Sequence, residues 1–172
     1  MQAVSKTSPL IFLAKVQELI PLLKKKYDSI LIPQEVYEEA VEKGLQSHNP
    51  DISSNASRIK TLVDEKFIQV SIVRKSNLLK SISSYLGKGE SAAIVLAVQR
   101  KIKNVLIDER TATNIAKNLG LSPYPISLLP IEAYRKNLIK KVDAIGILDK
   151  LLASNYYLNS KDYKTIIGML NK

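Results

Sequence analysis

Short apolar runs alternate with longer stretches of mixed apolar and polar residues along this chain. The runs at 2–5, 29–32, 67–71 and 105–107 read as strands. Val105-Leu106-Ile107 is apolar without alternation, the pattern of a strand covered on both faces, as in a parallel sheet. Residues 123–127 form a fifth, edge strand, because Pro123 and Pro125 fit an edge better than a centre. Helices are predicted between the strands. The first covers residues 10–16, with Ser8 as N-cap and Pro9 as first helical residue. A second, near 16–25, bends at Pro21, and a third, 34–43, ends at Gly44. Further helices are expected at 56–66, 76–86, 111–118 (closed by Gly120), 128–137, 142–155 and 160–170. Residues 46–55 are polar and read as a mobile loop. Strands alternating with helices predict one α/β domain with right-handed crossovers.

The most informative stretch is 87–110. Gly87-Lys88-Gly89 opens a helix with Glu90 in its first turn, and from 92 to 98 that helix is apolar on every face, so it should be buried. The strand that follows ends in Asp108, and open α/β sheets place ligands beyond the carboxyl ends of their strands. Each acid has two readings. Glu90 either complements the positive end of its helix or turns toward the same sheet end as Asp108. Asp108 either N-caps the helix near Thr111 or serves a site.

Composition narrows the chemistry. The chain has 172 residues, 45% of them hydrophobic, enough for one domain with a sizeable core. No apolar run approaches a membrane span and no signal peptide is read at the N-terminus. Cysteine is absent, which excludes disulfides and thiolate metal sites and makes the cytoplasm the expected compartment. His48 is the only histidine and lies in a polar stretch, which argues against a zinc site or a Ser-His-Asp triad. A metal here would be a hard cation on carboxylates, magnesium or manganese. The net charge of +10 favours a polyanionic partner, nucleic acid first, although each basic run can also be a solvated helix end.

Four segments then fall into an order and spacing that resemble the PIN-domain nucleases. They are Val4-Ser5-Lys6-Thr7-Ser8-Pro9-Leu10-Ile11, Ile32-Pro33-Gln34-Glu35-Val36-Tyr37-Glu38-Glu39, Leu86-Gly87-Lys88-Gly89-Glu90-Ser91-Ala92-Ala93-Ile94 and Leu106-Ile107-Asp108-Glu109-Arg110. The likeness is closest to the compact archaeal and bacterial branch related to VapC-type toxins, and it covers nearly the whole chain. It implies a three-layer α/β/α sandwich around a central, mainly parallel twisted sheet. It also implies one domain over 1–172, with 142–172 as a C-terminal helical extension.

The resemblance also implies an activity, metal-dependent phosphodiester hydrolysis of RNA, with Mg or Mn as cofactor. Matched residue by residue, Glu39, Glu90 and Asp108 occupy acid positions, with Glu109 as a further metal candidate. Thr7 and Ser8 match the small hydroxyl residues beside the first acid. Glu38 rivals Glu39 by a one-residue shift, about 100° around the helix. Lys88 and Arg110 are the nearest candidates for holding flanking phosphates. RNA, a small antitoxin protein and a second copy in a homodimer are the implied partners; Tyr156 and Tyr157, read as exposed, either serve such an interface or pack into the core.

One position departs from the family. Lys6 stands where Asp usually precedes Thr-Ser. An ammonium has three donors and no acceptor, so it cannot ligate a hard cation. Three readings follow. Lys6 silences the site and leaves an RNA-binding or toxin–antitoxin interaction module; or the site keeps weak single-metal activity with Lys6 neutralising phosphate; or Lys6 points to solvent.

Overall fold

The computed structural model describes residues 1–170. Five strands form one sheet: β1 (Gln2–Ser5), β2 (Ser29–Pro33), β3 (Ile68–Ser71), β4 (Asn104–Leu106) and β5 (Ser122–Tyr124). Their order is β3-β2-β1-β4-β5, and every pairing is parallel. β1 is therefore central, and β5 lies at an edge as expected, although it spans 122–124 rather than 123–127 and holds only Pro123 of the two prolines.

The two-residue period of the strands sorts their side chains onto two cores. Ala3, Ile30, Ile32, Ile68 and Leu106 face one, and Val4, Leu31, Val105 and Ile107 face the other. The first core is covered by α1 (Thr7–Lys15), α2 (Leu19–Lys26), α5 (Pro50–Asp64), α9 (Leu128–Arg135), α10 (Lys141–Ala153) and α11 (Ser160–Leu170). The second is covered by α6 (Asn77–Ile82), α7 (Lys88–Arg100) and α8 (Arg110–Asn118). This is a three-layer α/β/α sandwich. Helix α7 runs deepest: residues 91–97 are all buried, as its unbroken apolar sequence requires.

Several local expectations are corrected. Helix α1 begins at Thr7, so Lys6, not Ser8, occupies the N-cap position, without a side-chain cap bond. Pro9 and Pro21 both sit in first turns, where no N–H is needed, and Pro21 does not bend a helix. The expected loop at 46–55 is half helix. Asn49 caps α5 by accepting from the N–H groups of Asp51 (2.9 Å) and Ile52 (3.3 Å), and Pro50 is its first residue. Gly44 does not end its helix in a left-handed turn. It lies in α4 (Lys43–Leu45), where a Cβ would come within 2.6 Å of the Ala56 Cβ. Its role is to let α5 approach. Tyr156, read as exposed, is buried, whereas Tyr157 is exposed.

Candidate functional site

The helical segments that follow β1 and β2, together with the N-terminus of α7, enclose one cavity. Strand β1 passes directly into α1 through Lys6, whose N–H reaches the Leu106 carbonyl of β4 at 3.5 Å. Strand β2 passes into α3 (Gln34–Tyr37), which continues as a π-helical turn, Glu38–Glu42, before α4. The Lys43 N–H bonds to the Glu38 carbonyl, the five-residue step of a π-turn. The third wall is the N-terminus of α7. The cavity has a volume of about 430 Å³ and is lined by Lys6, Thr7, Ser8, Glu35, Glu38, Glu39, Lys43 and residues 87–90.

The solvent-facing reading of Lys6 is overturned. The residue is 6% exposed, and its Nζ donates to Glu90 Oε1 at 2.5 Å. A strand end leaves the lysine stem in the core layer, and the ammonium then needs an acid, since an unpaired buried charge is costly. Glu90 supplies it from the first turn of α7. Beside this pair, the Thr7 hydroxyl donates to Glu39 Oε2 at 2.7 Å. Gly89 allows that contact: a Cβ there would lie 3.1 Å from Glu39 Oε2 and 3.5 Å from Thr7 Oγ1. Gly89 thus has a steric purpose in the first turn of α7, bringing that turn against the Thr7–Glu39 pair.

Glu38 and Glu39 both line the cavity, so the rivalry between them resolves as a division. Glu39 takes the Thr7 bond. The cavity also holds Glu35, which the sequence reading did not single out. Its Oε2 is buried without a hydrogen-bond partner. The only signal for it was its place one helical turn before Glu38 and Glu39. Lys88 lines the rim and is exposed; Arg110 is exposed at the start of α8, outside the lining.

Asp108 and Glu109 also lie outside that lining. Asp108 Oδ1 accepts from the Tyr156 hydroxyl at 2.6 Å and from the Ile126 N–H at 3.0 Å, while Oδ2 is buried without a partner. Burial pushes the Asp108 carboxyl above the usual carboxylate range, against the opposing pull of those two donors and of the Lys6 charge. Glu109, not Asp108, caps α8, accepting from the N–H groups of Thr111 (2.8 Å) and Ala112 (2.7 Å). Partial burial pushes Glu109 upward, but these bonds and the attraction of Lys6 leave it below its ordinary value.

With this geometry in hand, the comparison with known families is decisive: the sequence matches the PIN domain over residues 2–172. The chain belongs to the PIN-domain family. No curated protein gives a significant match. The fold is therefore of nuclease type. PIN domains generally use divalent metals, and they often bind RNA or act in toxin–antitoxin pairs.

In this PIN domain Lys6 and Tyr156 already engage two of the acids that match the family's metal positions. Among the described residues, no group of three or more Asp, Glu, His or Cys side chains is arranged to hold a divalent ion. Glu39 and Glu90 reach the same cavity, but the Glu90 carboxylate is engaged by an ammonium and Asp108 by a tyrosine. Also among the described residues, no helix is long and apolar enough to cross a membrane.

Proposed function

We propose that this PIN domain is an RNA-binding protein whose hydrolytic centre is closed by Lys6. One observation carries the reading: the 2.5 Å ion pair between Lys6 and Glu90, with the lysine side chain only 7% exposed. At an effective dielectric of about 20, two unit charges about 4 Å apart attract by about 4 kcal/mol before desolvation. A magnesium or manganese ion entering the cavity meets that attraction and the repulsion of a fixed positive charge. No water-activating step is assigned to the native chain. What remains is a nuclease-type fold with a net charge of +10 and exposed cations at Lys88 and Arg110. Those features suit the phosphates of RNA.

A second reading, weak metal-dependent ribonuclease activity, draws on a different observation. Four carboxylates (Glu35, Glu38, Glu39 and Glu90) face three lysines (Lys6, Lys43 and Lys88) around the cavity, and Glu35 Oε2 has no partner. The lining keeps an acidic excess that a cation can use. A small antitoxin-like protein and a second copy of the chain are the partners that fit either reading within the family.

The test is fluorescence anisotropy of a labelled single-stranded RNA across a salt series, with a parallel gel for cleavage in manganese, in magnesium and in EDTA. The reading predicts binding that weakens steeply with salt and leaves the RNA intact in all three conditions. Cleavage that EDTA abolishes would favour the second reading. Absence of binding at low salt would contradict the RNA role.

A further inference from the structure

Asp108 has the position of a site acid and the contacts of a structural one. It follows β4, beside the central strand, yet the groups that hold it come from the far end of the chain. Tyr156 lies between α10 and α11 and is 5% exposed. Its hydroxyl donates to Asp108 Oδ1 at 2.6 Å and lies 3.3 Å from Ser127 Oγ. Its ring packs edge-on against Phe12 of α1, with centroids 4.9 Å apart. The Ile126 N–H completes the grip on the same carboxylate oxygen. One carboxylate therefore joins the end of β4, the turn before α9 and the junction of the last two helices.

We propose that Asp108 is the anchor of the C-terminal helices. Tyr156 has taken this carboxylate to fasten α10 and α11 across the sheet's carboxyl end, and the cavity is lined by Glu39 and Glu90 without it. The anchor stands independently of the RNA reading, because none of its hydrogen bonds involves the cavity lining. Sequence separation makes the tie consequential: the hydroxyl and carboxylate are 48 residues apart, so the bond forms only when the extension is docked. A charge-assisted hydrogen bond in a buried setting is among the stronger single contacts available. Buried aliphatic side chains of α10 and α11 (Ile147, Leu148, Leu151 and Ile166) add non-directional adhesion, and the anchor sets the register in which they seat.

A double-mutant cycle tests this with the full chain. Asp108→Ala and Tyr156→Phe are made singly and together, and unfolding in urea is measured for each. The anchor predicts a coupling of about 5–100-fold in the unfolding constant between the two changes. Hydrogen exchange on Tyr156→Phe, which removes one oxygen and keeps the ring on Phe12, gives a local readout. Amides of α10 and α11 should lose at least about tenfold more protection than those of β1 and α7. Additive effects in the cycle, or equal loss of protection across the sheet and the C-terminal helices, would overturn the proposal.

Discussion

Lys6 and Glu90 are 84 residues apart in sequence, and their charged atoms meet at 2.5 Å in the wall of the cavity. The pair links the end of the central strand to the first turn of the most buried helix. It is a structural bond as much as an electrostatic one, and it can be taken apart from either side.

Removing only the lysine charge should be costly. Lys6→Met leaves the part-buried Glu90 carboxylate without its ammonium partner, and removing one side of such a pair should destabilise by about 1–3 kcal/mol. Lys6→Met combined with Glu90→Leu should recover much of that loss, because no charge is then left unpaired. Urea unfolding of the three proteins checks both statements. A double variant less stable than Lys6→Met alone would show that the pair stabilises by more than mutual neutralisation.

Two glycines should respond to alanine in opposite directions. At Gly89 a Cβ would press on Glu39 Oε2 at 3.1 Å, so Gly89→Ala should loosen the Thr7–Glu39 contact and destabilise by about 1–2 kcal/mol. Gly146 lies inside α10 with nothing within 4 Å of its added Cβ, and Gly146→Ala should stabilise by about 0.5–1 kcal/mol. Thermal unfolding of both variants beside the native chain decides it.

A second charged cluster predicts acid sensitivity away from the cavity. Glu132 on α9 pairs with Lys26 and, at 2.8 Å, with Lys136, and it accepts from the Tyr124 hydroxyl at 2.7 Å. Partial burial pushes its carboxyl up, but these three donors prevail and hold it at about 2, from an ordinary value of 4.5. A carboxylate with a lowered folded-state pKa contributes stability that is complete above its unfolded value and is lost as pH falls through the folded one. The window is therefore pH 4.5 down to about 2. Comparing the native chain with Glu132→Gln over pH 7 to 2, the native advantage should hold to about pH 5 and then shrink. An advantage that is constant down to pH 2 would contradict the assignment.

The sheet was legible because its pattern is local. Continuous apolar residues at 105–107, and an apolar surface on every face of 92–98, are properties of consecutive positions, and they predicted a parallel sheet and a buried α7 directly. The failures share a different cause. Gly44 looked like a helix terminator, but its reason lies in Ala56 on another helix. The Asn49-Pro50 start of α5 was readable as a cap, yet the polar residues after it concealed a helix of which only Ala56, Ile59 and Leu62 are buried.

The cavity was legible to the same extent. Thr7, Glu39 and Glu90, which motif spacing places together, line one cavity, because each lies in a helical segment that follows a strand or a glycine turn. Motif matching also carried Asp108 into the same set. Only the folded chain shows that Tyr156, 48 residues later, holds that carboxylate. Glu35 was passed over because its buried oxygen becomes unusual only once the surrounding helices are in place.

The central claim is that Lys6 closes this site, and the most direct measurement is RNA cleavage by the native chain and by Lys6→Asp, side by side in manganese, with EDTA controls. The substitution replaces an ammonium bound to Glu90 with a further carboxylate beside Glu39 and Glu90. The account predicts intact RNA with the native chain and EDTA-sensitive cleavage with Lys6→Asp. EDTA-sensitive cleavage by the native chain that Lys6→Asp fails to increase would contradict it.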